Sequence, residues 1–192
     1  MNDIGFDWIR MDEVPRKLIV DFQCGNVVFD DYLKEEASSY QENCEGVTYV
    51  IVTDDELEKH EFTKIHGYVT INATGLLLCD EARNYYLPCA EIKMFAIAKQ
   101  LRRRHDITIN YSDLVFKVIL QNLYEISTKV IGFRAIFLNS NDEGKHLYCD
   151  NGFMEIDSYI APSEENGINI EGTCPMILLI NDEMLTNIFS ET

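Results

Sequence analysis

The chain has 192 residues, of which 46% are hydrophobic, which is enough for one well-formed core and short for two independent domains. It carries 16 Lys and Arg residues against 33 Asp and Glu residues, and the resulting formal net charge of −17 opposes the binding of a long polyanion over most of the surface. We therefore predict a single domain over residues 1–192. We also expect no general nucleic-acid binding, with tRNA kept as a minority alternative.

Targeting and metal-binding signals do not stand out in the sequence. No run reaches the roughly 18 uncharged apolar residues that a membrane span needs, and the first residues lack the basic start and apolar core of a secretory signal. The six cysteines include no CxxC pair, and the four histidines form no cluster at zinc spacing. We expect a cytoplasmic protein with reduced cysteines, no membrane association and no metal.

The N-terminal half predicts a short opening helix, a longer amphipathic helix and two strands. Apolar residues recur at steps of three and four from Phe29 to Cys44, and Asn26 is a candidate N-cap for this helix. Residues 47–53 form a β-branched and aromatic run, and residues 65–72 alternate between apolar and polar side chains. These two runs predict strands in hairpin order.

The C-terminal half predicts a mixed α/β arrangement without internal repeats. After a predicted loop that contains Pro88, residues 91–98 predict a central strand, and Ser112 is a candidate N-cap for a largely apolar helix. Residues 130–139 predict another buried strand, and two closing strands follow in the segments MEIDSYI and TCPMILLI.

A basic segment follows the predicted central strand. Four of the 16 basic residues, Lys99, Arg102, Arg103 and Arg104, lie within six positions of an otherwise acidic chain. A strand, a basic loop and a capped helix in this order can receive phosphate on backbone N–H groups and a helix N-terminus. The segment predicts a site for a small anionic ligand, or else a solvated turn whose cations balance neighbouring carboxylates.

Five segments in order resemble the GNAT N-acetyltransferase superfamily, and most closely its branch of small bacterial acetyltransferases and tRNA-acetylating toxins. They are FQCGNVVFDDYL, VTYVIV, the pair Gly67-Tyr68, FAIA and LYCDNGF, and the resemblance spans residues 8–180. It implies a central mixed, mostly antiparallel sheet that splays between strands 4 and 5 and is flanked by helices. It also implies direct transfer of an acetyl group from acetyl-CoA to a primary amine.

The resemblance gives roles to two candidate catalytic residues. Family members carry a tyrosine a few residues before a Gly-Phe pair, as Tyr148 precedes Gly152-Phe153, and its hydroxyl gives the leaving thiolate a proton or a hydrogen bond. Simple ring packing is the alternative for Tyr148. Glu91 is the candidate base for the attacking amine, with a surface carboxylate at a strand end as the alternative. Asp80 and Glu81 are weaker candidates on a predicted loop.

The resemblance also implies the contacts to acetyl-CoA. The backbone of Phe95, Ala96 and Ile97 would follow the pantetheine arm, and the segment leading into Ser112 would face the pyrophosphate. Family members have a glycine-bearing turn there, whereas RRRHDITINYSDLVF has no glycine, and Asp113 adds a negative charge to the first helical turn.

Two outcomes follow from the glycine-free turn. Either Arg102, Arg103 and Arg104 hold phosphate by side chain, or the cofactor site has decayed and the chain is a degenerate, non-catalytic GNAT-fold binding or regulatory module. For a catalytic protein the acidic composition favours a cationic small-molecule or peptide amine as acceptor. An exposed apolar edge near MILLI, residues 176–180, suggests a possible homodimer.

Overall fold

A computed structural model describes residues 5–80, 83–102, 110–157, 160 and 172–180. The chain divides into two compact units, the first built from residues 1–71 and 94–119 and the second from residues 72–93 and 120–192. In chain order the elements are β1 (Phe6–Arg10), α1 (Arg16–Asp21), α2 (Val27–Asp31), α3 (Ala37–Glu42), β2 (Val47–Thr53), α4 (Asp54–Lys59), β3 (Gly67–Asp80), β4 (Arg83–Ile97), α5 (Tyr111–Lys129), β5 (Ala135–Ser140), α6 (Lys145–Asp150), β6 (Met154–Glu155) and β7 (Cys174–Leu179).

The strands follow the order β1-β2-β3-β4-β5-β7-β6 in one seven-stranded sheet. β1 with β2, β2 with β3, β5 with β7, and β6 with β7 pair in antiparallel register, whereas β4 and β5 are parallel. The helices are interspersed with the strands along the chain. The predicted fold class, a mixed and mostly antiparallel sheet with flanking helices, is therefore confirmed.

The first unit is built around one face of β2 and β3. Val50, Val52 and Tyr68 pack there against Ile19 and Leu33 from the helical segments. Asn26 caps α2 as predicted, because its side chain accepts a hydrogen bond from Val28 N at 3.0 Å. A π-helical turn at residues 32–36 joins α2 to α3 and interrupts the regular helix that the spacing predicted.

Two buried polar side chains lie beside this core. Glu56 and His66 are both buried, and Glu56 Oε2 is 3.9 Å from His66 Nε2. Glu56 belongs to a capping box with Thr53 that starts α4. Burial alone would raise the pKa of Glu56, but hydrogen bonds from Thr63 and Thr53 outweigh it and lower that pKa to about 2.

The second unit has its core on one face of β4, β5 and β7. Cys89, Phe137 and Ile177 pack together there with Leu76 and Ile156. The apolar segment near MILLI does not form an exposed edge as expected, because β7 lies between β5 and β6 and its Met176, Ile177 and Leu178 are buried. The predicted homodimer therefore loses the surface that suggested it.

Several predicted elements differ from the structure. The opening segment contains strand β1 in addition to the predicted short helix, because Phe6–Arg10 pairs in register with β2 and α1 follows at Arg16–Asp21. Pro88 lies inside β4 and not in a loop, and its carbonyl accepts a hydrogen bond from Arg134 N at 2.9 Å. Proline lacks only the donor, so a strand tolerates it where that N–H is not needed. β5 begins at Ala135, five residues later than predicted, and β6 is only two residues long.

No helix among the described ranges is both long enough and apolar enough to cross a membrane.

Candidate functional site

The backbone at the end of β4 has hydrogen-bonding groups that point away from β3. Ala98 N donates to His66 O at 2.8 Å, just beyond the strand. Successive residues of a strand direct their N–H and C=O groups to opposite edges, so Ala96 shares the direction of Ala98. The corresponding groups of Phe95 and Ile97 therefore point to the other edge. Ala96 thus turns its amide toward β3, and the assignment of Phe95, Ala96 and Ile97 to a pantetheine arm stays a prediction.

The basic segment after β4 packs against the loop that precedes α2. Lys99 N donates to Gln23 O at 2.9 Å, and a Cβ on Gly25 would lie 3.5 Å from Lys99 Cδ. Gly25 has φ +90°, a backbone conformation that residues other than glycine rarely adopt. Arg102 is exposed and close enough for its charge to lower the pKa of Cys24, although burial of that thiol raises its pKa overall. Arg103 and Arg104 lie outside the described residues.

The start of α5 differs from its prediction. Tyr111 already belongs to the helix, and Leu114 N donates to Asn110 O at 3.1 Å, so Ser112 is inside the first turn and is not the N-cap. Asp113 pairs with Lys117 at 3.2 Å, one turn along the helix. This pairing offsets the negative charge that was expected to oppose a phosphate. The assignment of Ser112 and Asp113 to a cofactor site stays a prediction.

The end of α6 explains the position of Tyr148 relative to Gly152. Gly152 has φ +84°, its N–H donates to Cys149 O at 3.0 Å, and Phe153 N donates to Tyr148 O at 3.0 Å. These two bonds are the Schellman motif, in which an apolar residue after the glycine packs on the residue five positions earlier. The rings of Tyr148 and Phe153 accordingly have their centroids 5.9 Å apart.

Tyr148 is also fixed from its N-terminal side. A Cβ on Gly144 would lie 2.8 Å from Tyr148 Cε2, so the tyrosine ring packs directly against the backbone of Gly144. A larger residue at position 144 would require the ring to move. Tyr148 is half-buried, and burial raises its pKa to about 12. The phenol therefore remains protonated at neutral pH and can donate a hydrogen bond.

Glu91 lies in the middle of β4 and does not open the strand as expected. Its Cα is paired with that of Phe137 on β5, so its side chain shares a sheet face with Phe137 and Cys89. Gly152, after α6, approaches Leu178, and β7 pairs Leu178 with Ile136 on the opposite face. The described contacts therefore associate Glu91 and the end of the Tyr148 helix with different faces of the second unit's sheet.

The weaker base candidates do not occupy a loop. Asp80 is the last residue of β3, and Glu81 lies outside the described residues.

Sequence reasoning missed one polar residue beside Glu91. Asn139 is on β5, two residues after Phe137, and its Oδ1 is buried and has no hydrogen-bond partner among the described residues. The signal was present in the sequence, since Asn139 ends the otherwise apolar run AIFLN of a buried strand. Within the described parts of the chain, no group of three or more His, Cys, Asp or Glu side chains could hold a metal ion.

The chain matches no protein-family model and no curated protein sequence. Solved structures are nevertheless similar over almost the whole chain. A bacterial toxin superposes with a TM-score of 0.71 at 13% identity and covers 98% of both chains. A tyrosine-to-phenylalanine mutant of the toxin AtaT, bound to the C-terminus of the antitoxin AtaR and acetyl-CoA, gives a TM-score of 0.66 at 13% identity and covers 97% of this chain and 99% of that one. AtaT complexed with acetyl-methionyl-tRNAfMet gives 0.66 at 13% identity, with 96% and 99% covered.

The chain thus has the fold of these bacterial toxins. This is the fold that the resemblance of the ordered segments predicted.

The expectation about nucleic acid was wrong. AtaT, which shares this fold, is complexed with an acetylated aminoacyl-tRNA, so a nucleic-acid partner cannot be set aside on the basis of the net charge of −17. Net charge sums over the whole surface, whereas a tRNA touches only part of it.

Proposed function

We propose that this chain is an acetyl-CoA-dependent N-acetyltransferase whose acceptor is the amine of an aminoacyl-tRNA. The placement of Tyr148 carries the proposal, because a helix stop and a glycine fix its protonated hydroxyl in the connection that leaves β5. The likeness to AtaT in complexes with acetyl-CoA and with acetyl-methionyl-tRNAfMet supports both the donor and the acceptor class. The cytoplasmic location expected from the sequence fits both substrates.

Both backbone groups and a side chain would bind acetyl-CoA. The outward-pointing N–H and C=O groups of Phe95 and Ile97 would bond the amides of the pantetheine arm. Arg102 would contribute a cation toward phosphate in place of the missing glycines, at a contribution of roughly 1.5 to 3 kcal/mol per charge-assisted hydrogen bond. Acetyl-CoA supplies an activated acetyl group on a thiol leaving group.

Glu91 and Tyr148 would act from opposite faces of the second unit's sheet, with Glu91 on the side of the attacking nitrogen and Tyr148 on the side of the departing sulfur. An ammonium acceptor carries three protons and the amide product carries one, so two protons must leave nitrogen as the C–N bond forms and the C–S bond breaks. Glu91 would accept one of them, directly or through water, and the other remains with the product thiol. Tyr148 would stabilise the departing sulfur.

The pKa of Tyr148 determines whether its hydroxyl donates a proton or only a hydrogen bond to the departing sulfur. Full transfer of a proton from a phenol with a pKa of about 12 to a thiolate whose thiol has a pKa of about 8.5, the unperturbed value of cysteine, is uphill by about 5 kcal/mol. A hydrogen bond from the Tyr148 hydroxyl to the developing thiolate avoids that cost. We therefore assign Tyr148 as a hydrogen-bond donor to sulfur, with the proton arriving from nitrogen through solvent.

Transfer of radiolabelled acetyl groups tests the proposal. Purified protein is incubated with labelled acetyl-CoA and methionyl-tRNA, with deacylated tRNA as the matched control, and label in precipitated RNA is counted. Label in methionyl-tRNA alone is the expected result. Label only in polyamines or basic peptides, offered in parallel, would overturn the proposed acceptor.

A non-catalytic binding module is the second candidate, favoured by the glycine-free turn before α5. Such a module would show no transfer to any acceptor. A rise in melting temperature with acetyl-CoA would then point to a binding module that retains the ligand, and no shift at millimolar acetyl-CoA would point to a decayed site.

A further inference from the structure

One face of the parallel pair β4 and β5 changes character along its length. Near the start of β5 the face is apolar, with Cys89 and Phe137 in the core of the second unit. Farther along the pair it becomes polar, with Glu91 in the middle of β4 and then Asn139 near the end of β5. The two polar side chains therefore lie beside the end of the paired stretch, whose last paired residues are Ile92 and Leu138.

Register brings the two side chains to neighbouring positions. The Cα of Glu91 is paired with that of Phe137, and Asn139 is the next residue of β5 on the same face. Such diagonal neighbours are about 7 to 8 Å apart between Cα atoms, within reach of one small group held between their side chains. On its other flank Asn139 is paired with Pro175, which has no N–H to offer.

The amide of Asn139 has an unmet requirement. Its Oδ1 is buried, and no described residue donates to it. A buried acceptor without a donor destabilises the folded state, so buried polar groups in folded proteins are nearly always hydrogen-bonded to protein, ligand or water. Lys93, the exposed cation two residues after Glu91 on β4, does not donate to this Oδ1.

We propose that Asn139 and Glu91 together form the binding site for the acceptor amine. This inference rests on the proposed function and adds a residue to it. Both the Glu91 carboxylate and the Asn139 Oδ1 accept hydrogen bonds, so together they select a group that carries several N–H donors. A primary amine meets both acceptors at once, whereas a hydroxyl has one proton and satisfies only one of them. Asn139 is thus a substrate-binding residue that orients the nitrogen while Glu91 takes its proton.

Discrimination between charged and uncharged tRNA tests the inference without requiring catalysis. The affinities of methionyl-tRNA and deacylated tRNA are measured without acetyl-CoA for the parent protein, Asn139→Leu and Asn139→Asp. The ratio of the two affinities removes the phosphate contacts, which are common to both ligands, and leaves the contribution of the methionyl group with its amine. We expect the parent to prefer methionyl-tRNA by about tenfold or more, Asn139→Leu to lose that preference, and Asn139→Asp to keep it because an acceptor oxygen remains.

Asn72→Leu is the matched control. Asn72 also lies in the second unit and also has a buried Oδ1 without a partner among the described residues, but it is on β3 and not beside Glu91 in the register of β4 and β5. Both leucine variants remove an unmet acceptor, so both should melt at or above the temperature of the parent protein. Only Asn139→Leu should change the preference for methionyl-tRNA.

The inference and the proposed function fail in different ways. An unchanged preference in Asn139→Leu, or a parent protein that does not distinguish the two tRNAs, overturns the amine site. In a parent that transfers acetyl groups, Asn139→Leu should raise the KM for methionyl-tRNA about tenfold and leave the KM for acetyl-CoA unchanged, and an unchanged KM for methionyl-tRNA would count against Asn139 alone. Preference without transfer retains the amine site and removes the acetyltransferase.

Discussion

Replacement of Glu56 by glutamine should destabilise the first unit in a pH-dependent way. Glu56 Oε2 accepts hydrogen bonds from Thr53 N at 3.2 Å and Thr53 Oγ1 at 3.0 Å. Its Oε1 accepts from Thr63 N at 2.9 Å and Thr63 Oγ1 at 2.5 Å. The carboxylate therefore joins the first turn of α4 to the segment that leads into β3. A glutamine would present an NH₂ group to donors and break the bonds on one side.

The pKa of Glu56 sets the magnitude. That pKa is about 2 in the folded protein and 4.5 for an unperturbed glutamate, so the folded state favours the charged form by about 3 kcal/mol. The folded pKa is the lower one. The contribution is therefore fully present above pH 4.5 and is lost as the pH falls toward 2. Glu56→Gln should cost about 2 to 3 kcal/mol at pH 7 and much less near pH 2.

Urea denaturation at pH 7 and at several lower pH values measures this difference. Glu58→Gln is the matched control, because Glu58 lies on the same helix and is exposed, and its replacement should cost less than about 0.5 kcal/mol. A loss in Glu56→Gln that is the same at pH 7 and pH 3 would refute the electrostatic origin. A loss no larger than that of Glu58→Gln would refute the hydrogen-bonded clamp itself.

Three further substitutions test the buried histidine and the proposed active site. Burial, and secondarily the charge of Lys64, lowers the pKa of His66 from 6.5 to about 4. As the pH falls from 6.5 toward 4, the unfolded state binds a proton that the folded state does not, so the free energy of unfolding falls by about 3 kcal/mol. His66→Phe should remove this loss in a pH series of urea denaturations. Tyr148→Phe should lower kcat about a hundredfold and leave the Kd for acetyl-CoA unchanged in calorimetry, and equal rates would remove the hydroxyl from the mechanism. Gly144→Ala should lower kcat with no change in that Kd, because its Cβ would meet the ring of Tyr148 at 2.8 Å, and an unchanged rate would show that the ring position is not critical.

Local chemistry in the sequence was sufficient for elements whose signals lie close together. Asn26 was identified as an N-cap because the preference depends on one side chain and the next two residues. The end of α6 at Gly152 could be predicted for the same reason, because the hydrogen bonds of its Schellman motif involve only residues 148–153. Order and spacing of such local segments were enough to identify the fold.

Features that depend on distant partners could not be read in the same way. β1 is a strand because β2 pairs with it, and five residues of FDWIR carry too short a pattern to choose between helix and strand. Pro88 signals a break by itself, and only its place in the sheet makes it acceptable inside β4. The role proposed for Asn139 depends on Glu91, 48 residues earlier, because the register of β4 and β5 places the two residues at neighbouring positions.

Screening by salt explains why the net charge of −17 does not determine tRNA binding, and it leads to a last prediction. At physiological ionic strength charges are screened beyond about 8 Å, so carboxylates far from a bound tRNA neither repel it strongly nor appear in its affinity. The cations that touch phosphate determine the dependence on salt, with a slope of about 0.7 to 0.9 in log K against log salt for each phosphate neutralised.

The basic segment from Lys99 to Arg104 offers four cations. If it is the main phosphate contact, the slope for methionyl-tRNA should be about −3 to −4, and filter binding from 50 to 300 mM KCl would measure it. Without acetyl-CoA, whose phosphates would compete for Arg102, Lys99→Ala and Arg102→Ala should each reduce the slope by about one, because both residues belong to the segment that packs beside the α2 loop. A slope near −8, or one unaffected by either substitution, would place the main phosphate contacts elsewhere.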